Sequence, residues 1–287
     1  MSLSQSGILL PVPGHARYLE YRRNAGVPPE EVLAAISELK IDESLVIGIG
    51  SGLVSGTGRS VDGLRPFPAL SASGIEIPST QADLWIWQRG QDRGDIQTAG
   101  RSLQQHLAPL ATLCTNVDGF KYRDGRDLTG YVDGTENPDG EDAVEAAITD
   151  DGSSFAAVQL WAHDMAHFAR YSESETDDMI GRRLSDNEEF DDSPPSAHVK
   201  RTAQESFDPE AFVVRRSMPW TAGSAEGLMF VAFGATLDSF EVQLRRMIGE
   251  EDGIQDGLFN FSRPLSGSYF WCPPVRGGKL DLSAISA

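Results

Sequence analysis

Five histidines, His15, His106, His163, His167 and His198, supply all the imidazole in this chain of 287 residues. Any chemistry that needs a ring nitrogen near neutral pH must use one of them. His198 stands in the run Ser196-Ala197-His198-Val199-Lys200-Arg201, just after Pro194 and Pro195. Taken alone, it reads as a surface histidine among solvated charges. His163 and His167 have the i, i+4 spacing of a helical metal pair, which would make a divalent-metal site. His163, however, ends a predicted strand, where the two rings need not share a face.

Two further segments carry groups able to do chemistry. In Gly130-Tyr131-Val132-Asp133-Gly134-Thr135-Glu136-Asn137-Pro138, two glycines bracket an Asp within a turn-prone stretch. This is either an Asx-type turn or a place where the backbone must come close to something. In Phe212-Val213-Val214-Arg215-Arg216-Ser217-Met218-Pro219-Trp220, an apolar strand runs into consecutive arginines. Strand alternation turns one of them inward, where it needs an anionic partner or an inter-domain ion pair.

The elements that hold these groups follow from periodicity. In the first half, strands are predicted at 16–22, 45–49, 83–87 and 117–122, with helices at 28–40 and 95–113. In the second half, strands fall at 155–161, 212–216, 228–233 and 269–272, with helices around 177–183 and at 239–249. Each half reads β-α-β-β-α-β, which predicts an α+β chain of two ferredoxin-like domains, each with its own antiparallel sheet. The boundary is set near Gly140, giving domains 1–140 and 141–287. Residues 50–80 and 124–151 read as irregular connectors, and 185–195 as a surface loop.

Composition narrows the function classes. Hydrophobic residues make up 40% and charged residues 23%, which fits a globular chain and not a disordered or collagenous one. The net charge of −19 repels phosphate backbones and anionic lipid, so no nucleic-acid or membrane partner is expected. No apolar stretch reaches the roughly 20 residues of a membrane span. The N-terminus has no basic segment before an apolar core, and only Cys114 and Cys272 could pair, so a cytoplasmic location is expected.

Taken together, the motifs resemble the dye-decolorizing peroxidases, in particular the compact bacterial B-type branch. The resemblance runs through 67–70, 78–85 and 92–96, then 133–138, 196–201, 215–219, 227–230, 256–258 and 267–274, and so covers almost the whole chain. It implies a duplicated ferredoxin-like fold and one haem b per chain, bound mainly by the C-terminal half. It also implies reduction of hydrogen peroxide, with organic donors such as dyes and phenols oxidised through an oxoferryl intermediate. By the same resemblance His198 is the proximal iron ligand, Asp256 is its hydrogen-bond partner or merely caps a turn, and Asp133 and Arg215 are the distal proton carrier and charge stabiliser. Arg215 is expected to lower the Asp133 pKa. Ser217 stands where some relatives carry Asn and is expected to orient water or Arg215. Leu228 and Phe230 resemble the distal haem wall, with Leu244 and Met247 covering the proximal side. Glu136 and Asn137 through their backbone, and Arg182 through its charge, are nominated for the propionates. Trp85, Trp87, Trp161, Trp220 and Trp271 are candidate electron relays. A homodimer or higher homo-oligomer is expected, and the tail 277–287 is left either disordered or docked on an encapsulating shell, without a clear signal for the latter. The rival function is a haem-binding or haem-trafficking protein, which would have no need of the Asp133 and Arg215 pair.

Overall fold

The computed structural model describes residues 3–285. The first half contains β1 (His15–Arg23), α1 (Pro29–Ser37), β2 (Leu45–Ile49), α2 (Ser51–Gly56), a small hairpin of β3 (Leu70–Ala72) and β4 (Ile75–Ile77), then β5 (Leu84–Gly90), α3 (Arg93–Leu107) and β6 (Ala111–Phe120). The second runs through α4 (Gly140–Ala147), β7 (Ser154–His163), α5 (Met165–Phe168), α6 (Glu173–Ile180), α7 (His198–Arg201), β8 (Val214–Arg215), β9 (Met218–Ala222), β10 (Ala225–Gly234), α8 (Asp238–Met247), β11 (Ser262–Pro264) and β12 (Ser268–Cys272), ending in the hairpin β13 (Val275–Arg276) and β14 (Lys279–Leu280).

Strand order in the first half is β6-β1-β5-β2, and in the second β12-β7-β10-β9. Counted within each half, both read fourth, first, third, second. The two halves do not keep separate sheets as expected. Their outer strands pair with each other, β2 with β12 at Ile49 and Trp271 and β6 with β9 at Gly119 and Trp220. Following the pairings from β7 through β12, β2, β5, β1, β6, β9 and β10 leads back to β7, so the antiparallel sheet closes into a barrel. Closure removes edges that would otherwise expose unpaired backbone groups.

Both faces of the central strands are buried, and Leu84 to Arg89 of β5 is buried without a break, whereas β6 exposes Thr112, Cys114 and Asn116. The inner face carries Tyr18, Trp85, Trp87, Phe233 and Phe270, with Tyr18 stacked on Trp87 at 6.1 Å and Trp85 on Phe270 at 5.9 Å between centroids. The outer face carries Leu19, Ile47 and Ile86 under Val32 and Ile36 of α1 and Leu103 and Leu107 of α3. In the second half the outer face is covered by α8 through Phe240, Leu244 and Met247.

Several predicted bounds move. The helix predicted at 95–113 stops at Leu107, because Ala111 to Leu113 already pair with β1 as the start of β6. The two stretches read as irregular contain α2, β3 and β4 in one case and α4 in the other. The tail does not hang free through 285: Leu280, Leu282 and Ile285 are buried in the chain's own core, and the rest of the predicted tail, 286–287, lies outside the described residues. Among the described residues no helix is long and apolar enough to cross a membrane, and Cys114 and Cys272 are both free.

Candidate active site

Between the outer face of β7, β10 and β11 and helices α7 and α8 lies a cavity open to solvent. Its apolar wall includes Leu228 and Phe230, two residues apart on β10, facing Leu244 and Met247 on α8. Asp133, Glu136, Arg182, His198 and Arg215 line the same cavity. The structure therefore brings together nine of the twelve nominated site residues along one wall system. The loop 132–136 that supplies Asp133 precedes the boundary at 140, so the first of the two predicted domains also contributes.

His198 opens α7. Its Nδ1 lies 2.8 Å from Oδ2 of Asp256, whose side chain is fully buried. A carboxylate only accepts, so Nδ1 carries the proton and Nε2 keeps its lone pair available to the cavity. Oδ1 of Asp256 meanwhile accepts the Leu258 N–H at 2.8 Å. Both readings of Asp256, histidine partner and turn cap, hold at once on different oxygens. Gly257 next to it is required sterically: a Cβ there would sit 2.7 Å from the Met179 carbonyl oxygen at the end of α6.

Asp133 hangs on a loop held at several points. Its N–H donates to the Gly125 carbonyl at 3.0 Å, the Tyr131 hydroxyl donates to Asp177 on α6, and Gly134 takes φ +76° to turn the chain. The Asp133 pKa is raised, not lowered as expected. Burial is the largest cause, and the neighbouring charge of Asp127 adds to it; Arg215, His198 and the Gly134 N–H pull the other way and do not prevail. The expected effect of Arg215 is thus present, but desolvation outweighs it.

Arg215 is clamped through its backbone: Asn137 Oδ1 accepts its N–H at 2.7 Å, and Asn137 Nδ2 donates to its carbonyl at 3.0 Å. Asn137 therefore does not line the main cavity, and its amide is spent on holding the arginine strand. The guanidinium Nε of Arg215 is buried without a partner, an orphaned donor of the kind that costs about 1–3 kcal/mol unless a ligand satisfies it. Arg216, the other member of the pair, is the buried one, yet it meets no anion. Its guanidinium donates to the carbonyls of Ile8, Leu9 and Arg215. Carbonyl dipoles from the N-terminal segment replace the ion pair predicted there.

Ser217 is also outside the main cavity. Its Oγ accepts the Val231 N–H at 3.3 Å, filling the interruption between β8 and β9, and it borders a second cavity that shares Asp133 and Arg215. Arg182 is already engaged: it donates to Glu136 at 2.6 Å, to Glu189 at 2.8 Å and to the Asn187 carbonyl. An anionic group arriving here would compete with carboxylates that are 65% and 47% exposed and free to move aside.

The metal pair does not form. His163 binds Asp127 and Ser262, whereas His167 meets Tyr171 at 3.0 Å, and no group of three metal-ligating side chains occurs among the described residues. All five tryptophans are buried, at 6% exposure or less, and of these Trp161 alone lines the cavity. Sequence reasoning missed Phe240, Gln243, Leu258 and His163 as lining residues. Phe240 and Gln243 share a helical face with Leu244 and Met247, a spacing visible in advance. His163 gave no such signal, since its partners lie 36 and 99 positions away.

The site's form matches known proteins along the chain. The Dyp-type peroxidase C-terminal family model matches residues 124–277. A dye-decolorizing peroxidase of Mycobacterium tuberculosis is 34% identical over 248 residues, covering 81% of this chain and 73% of that relative. Among solved structures, a variant of DypB from Rhodococcus jostii in complex with heme aligns with TM-score 0.87 and 28% identity, over 95% of this chain and 97% of that one. A dye-decolorizing protein from V. cholerae aligns with TM-score 0.83 and 27% identity, over 94% and 97%. Such matches define a peroxidase, an oxidoreductase. The chain belongs to the dye-decolorizing peroxidase family, as its motifs suggested, and this counts against the haem-carrier reading.

Proposed function

We propose that the chain is a haem b peroxidase whose cofactor lies between β10 and α8 on His198. One arrangement carries this reading. An imidazole with a free Nε2, backed by a buried carboxylate, shares an apolar cavity with a carboxylate and an unsatisfied guanidinium donor. The residues fit the group: apolar walls for the macrocycle, one nitrogen for iron, and a few polar side chains, Asp133 and Arg215 among them. The hydrogen bond from Nδ1 to Asp256 makes His198 a stronger electron donor. When bound, haem supplies the electrons that reduce hydrogen peroxide and recovers them from organic donors such as dyes or phenols.

The chain's own groups manage protons and charge. Asp133, when ionised, takes a proton from hydrogen peroxide and returns it to the departing oxygen, which leaves as water. Arg215 offers N–H donors to the negative charge that develops on that oxygen. Ser217, tied to the Val231 N–H, steadies the strand break beside Arg215. Arg182 provides the cation for an anionic cofactor edge, with Glu136 and Glu189 as its partners until then.

The matching strand orders support a duplicated ferredoxin-like architecture. The packing of α4 against β10 and β8 supports the division near Gly140. Two free cysteines suit the cytoplasm, and a homodimer or higher homo-oligomer remains part of the reading. The deciding experiment is a spectrum: haem b added to the purified chain gives a Soret band, and His198→Ala weakens haem retention and removes the histidine-ligated signature. A spectrum identical in wild type and His198→Ala overturns the assignment.

A further inference from the structure

His163, at the end of β7, holds two hydrogen bonds at once. One ring nitrogen lies 3.1 Å from Oδ2 of Asp127, and the other 2.7 Å from the Ser262 hydroxyl on β11. Its side chain is 6% exposed and packs against Phe261. A carboxylate can only accept, so Nε2 carries the proton and Nδ1 accepts from Ser262. The order Ser262–His163–Asp127 is thus a directed chain ending on a buried carboxylate. His163 and Ser262 also line the cavity.

Asp127 anchors the loop that carries Asp133. Its Oδ1 accepts the N–H and hydroxyl of Thr129 at 2.8 and 2.7 Å, and its backbone N–H and carbonyl close the turn onto Tyr131 and Gly130. Asp127 is also the like charge that Asp133 feels, while the Arg215 guanidinium from β8 and the His198 imidazole from α7 act against it. A bare carboxylate there would resist the ionisation of its neighbour.

We propose that His163 is a positioning residue for peroxide turnover: by donating to Asp127 it pins the Asp133 loop to β7 and stabilises the Asp127 carboxylate on which the placement of Asp133 depends. The proposal rests on the reading of Asp133 as the proton carrier, and it assigns that group's regulation to residues outside the proximal and distal set. The hydrogen bond from His163, with the Thr129 donors, holds the Asp127 carboxyl below its ordinary value against its burial.

The test titrates the chain without haem by infrared difference spectroscopy, assigning the Asp133 carboxylic C=O band through its loss in Asp133→Asn. Three variants are compared: His163→Leu, His163→Gln, which keeps an N–H donor, and Asp127→Asn. Asp127→Asn should lower the Asp133 midpoint by roughly one pH unit. His163→Leu should raise the pH at which the last carboxyl proton leaves by a similar amount, because the two acids then titrate as a coupled pair. His163→Gln should stay nearer wild type than His163→Leu. In the haem-loaded enzyme, the acid limb of the peroxide reaction should move in the same directions. An unmoved midpoint in Asp127→Asn, or in a folded His163→Leu, overturns the proposal. An acid limb that survives in Asp133→Asn instead overturns the reading of Asp133, whatever the infrared titration gives.

Discussion

At the residue scale, the site depends on which proton sits where. Burial raises Asp133 above its ordinary value of 3.8, and a base works only when ionised. Peroxide turnover should therefore fall away on the acid side at a pH above that of an ordinary aspartate, and the limb should vanish in Asp133→Asn. That variant should keep its Soret band while losing about 10²–10⁴-fold in the stopped-flow rate with hydrogen peroxide. Unchanged peroxide kinetics would remove Asp133 from the chemistry. Asp256→Asn tests the opposite side of the cavity. The hydrogen bond to Nδ1 can persist, but the buried negative charge is gone, so haem retention should weaken by about 10–100-fold, read as the rate of haem transfer to an apo-globin acceptor.

At the element scale, the loop and the arginine strand act as one piece because Asn137 closes both backbone groups of Arg215. Asn137→Ala should cost about 1–3 kcal/mol in urea unfolding, since two partly buried backbone groups lose their bonds, and should slow peroxide reaction more than it weakens haem binding. A change in haem affinity alone would place Asn137 at the cofactor, as its sequence context suggested. Elements with clear periods were legible from sequence. Strand 45–49 has the observed bounds, and β1, β5, β7, β10 and β12 were found within three residues. Elements without a period were less so: the strand predicted at 212–216 shrinks to the two residues of β8, and β9, which begins Met218-Pro219-Trp220 with all three buried, was not predicted. Barrel closure rests on single residue pairings between distant strands, which leave no local trace. The direction of the Asp133 shift depends on burial, which no motif states, and His163 acquires meaning only beside Asp127 and Ser262.

At the scale of the whole molecule, the closed sheet joins both halves around a common aromatic interior. Phe233→Ala should remove about 3–5 kcal/mol and lower one shared unfolding transition; two separate transitions would show that the halves fold independently despite their shared strands. The charge acts over the same scale. A net charge of −19 surrounds a cavity whose rim carries Glu136, Glu189 and Glu205, so the field that meets an incoming donor is negative. Below the roughly 10 Å screening length of 0.1 M salt, that field should speed cationic donors and slow anionic dyes. Raising the salt from low to physiological strength should therefore lower kcat/KM for a cationic donor, raise it for an anionic dye, and leave a neutral phenol unchanged. Glu136→Gln should shrink the first two effects without touching the third, because it removes one rim charge and leaves Arg182 paired with Glu189. Equal salt responses for all three donors would mean that electrons enter far from this rim, and the search for the donor surface would move elsewhere on the barrel.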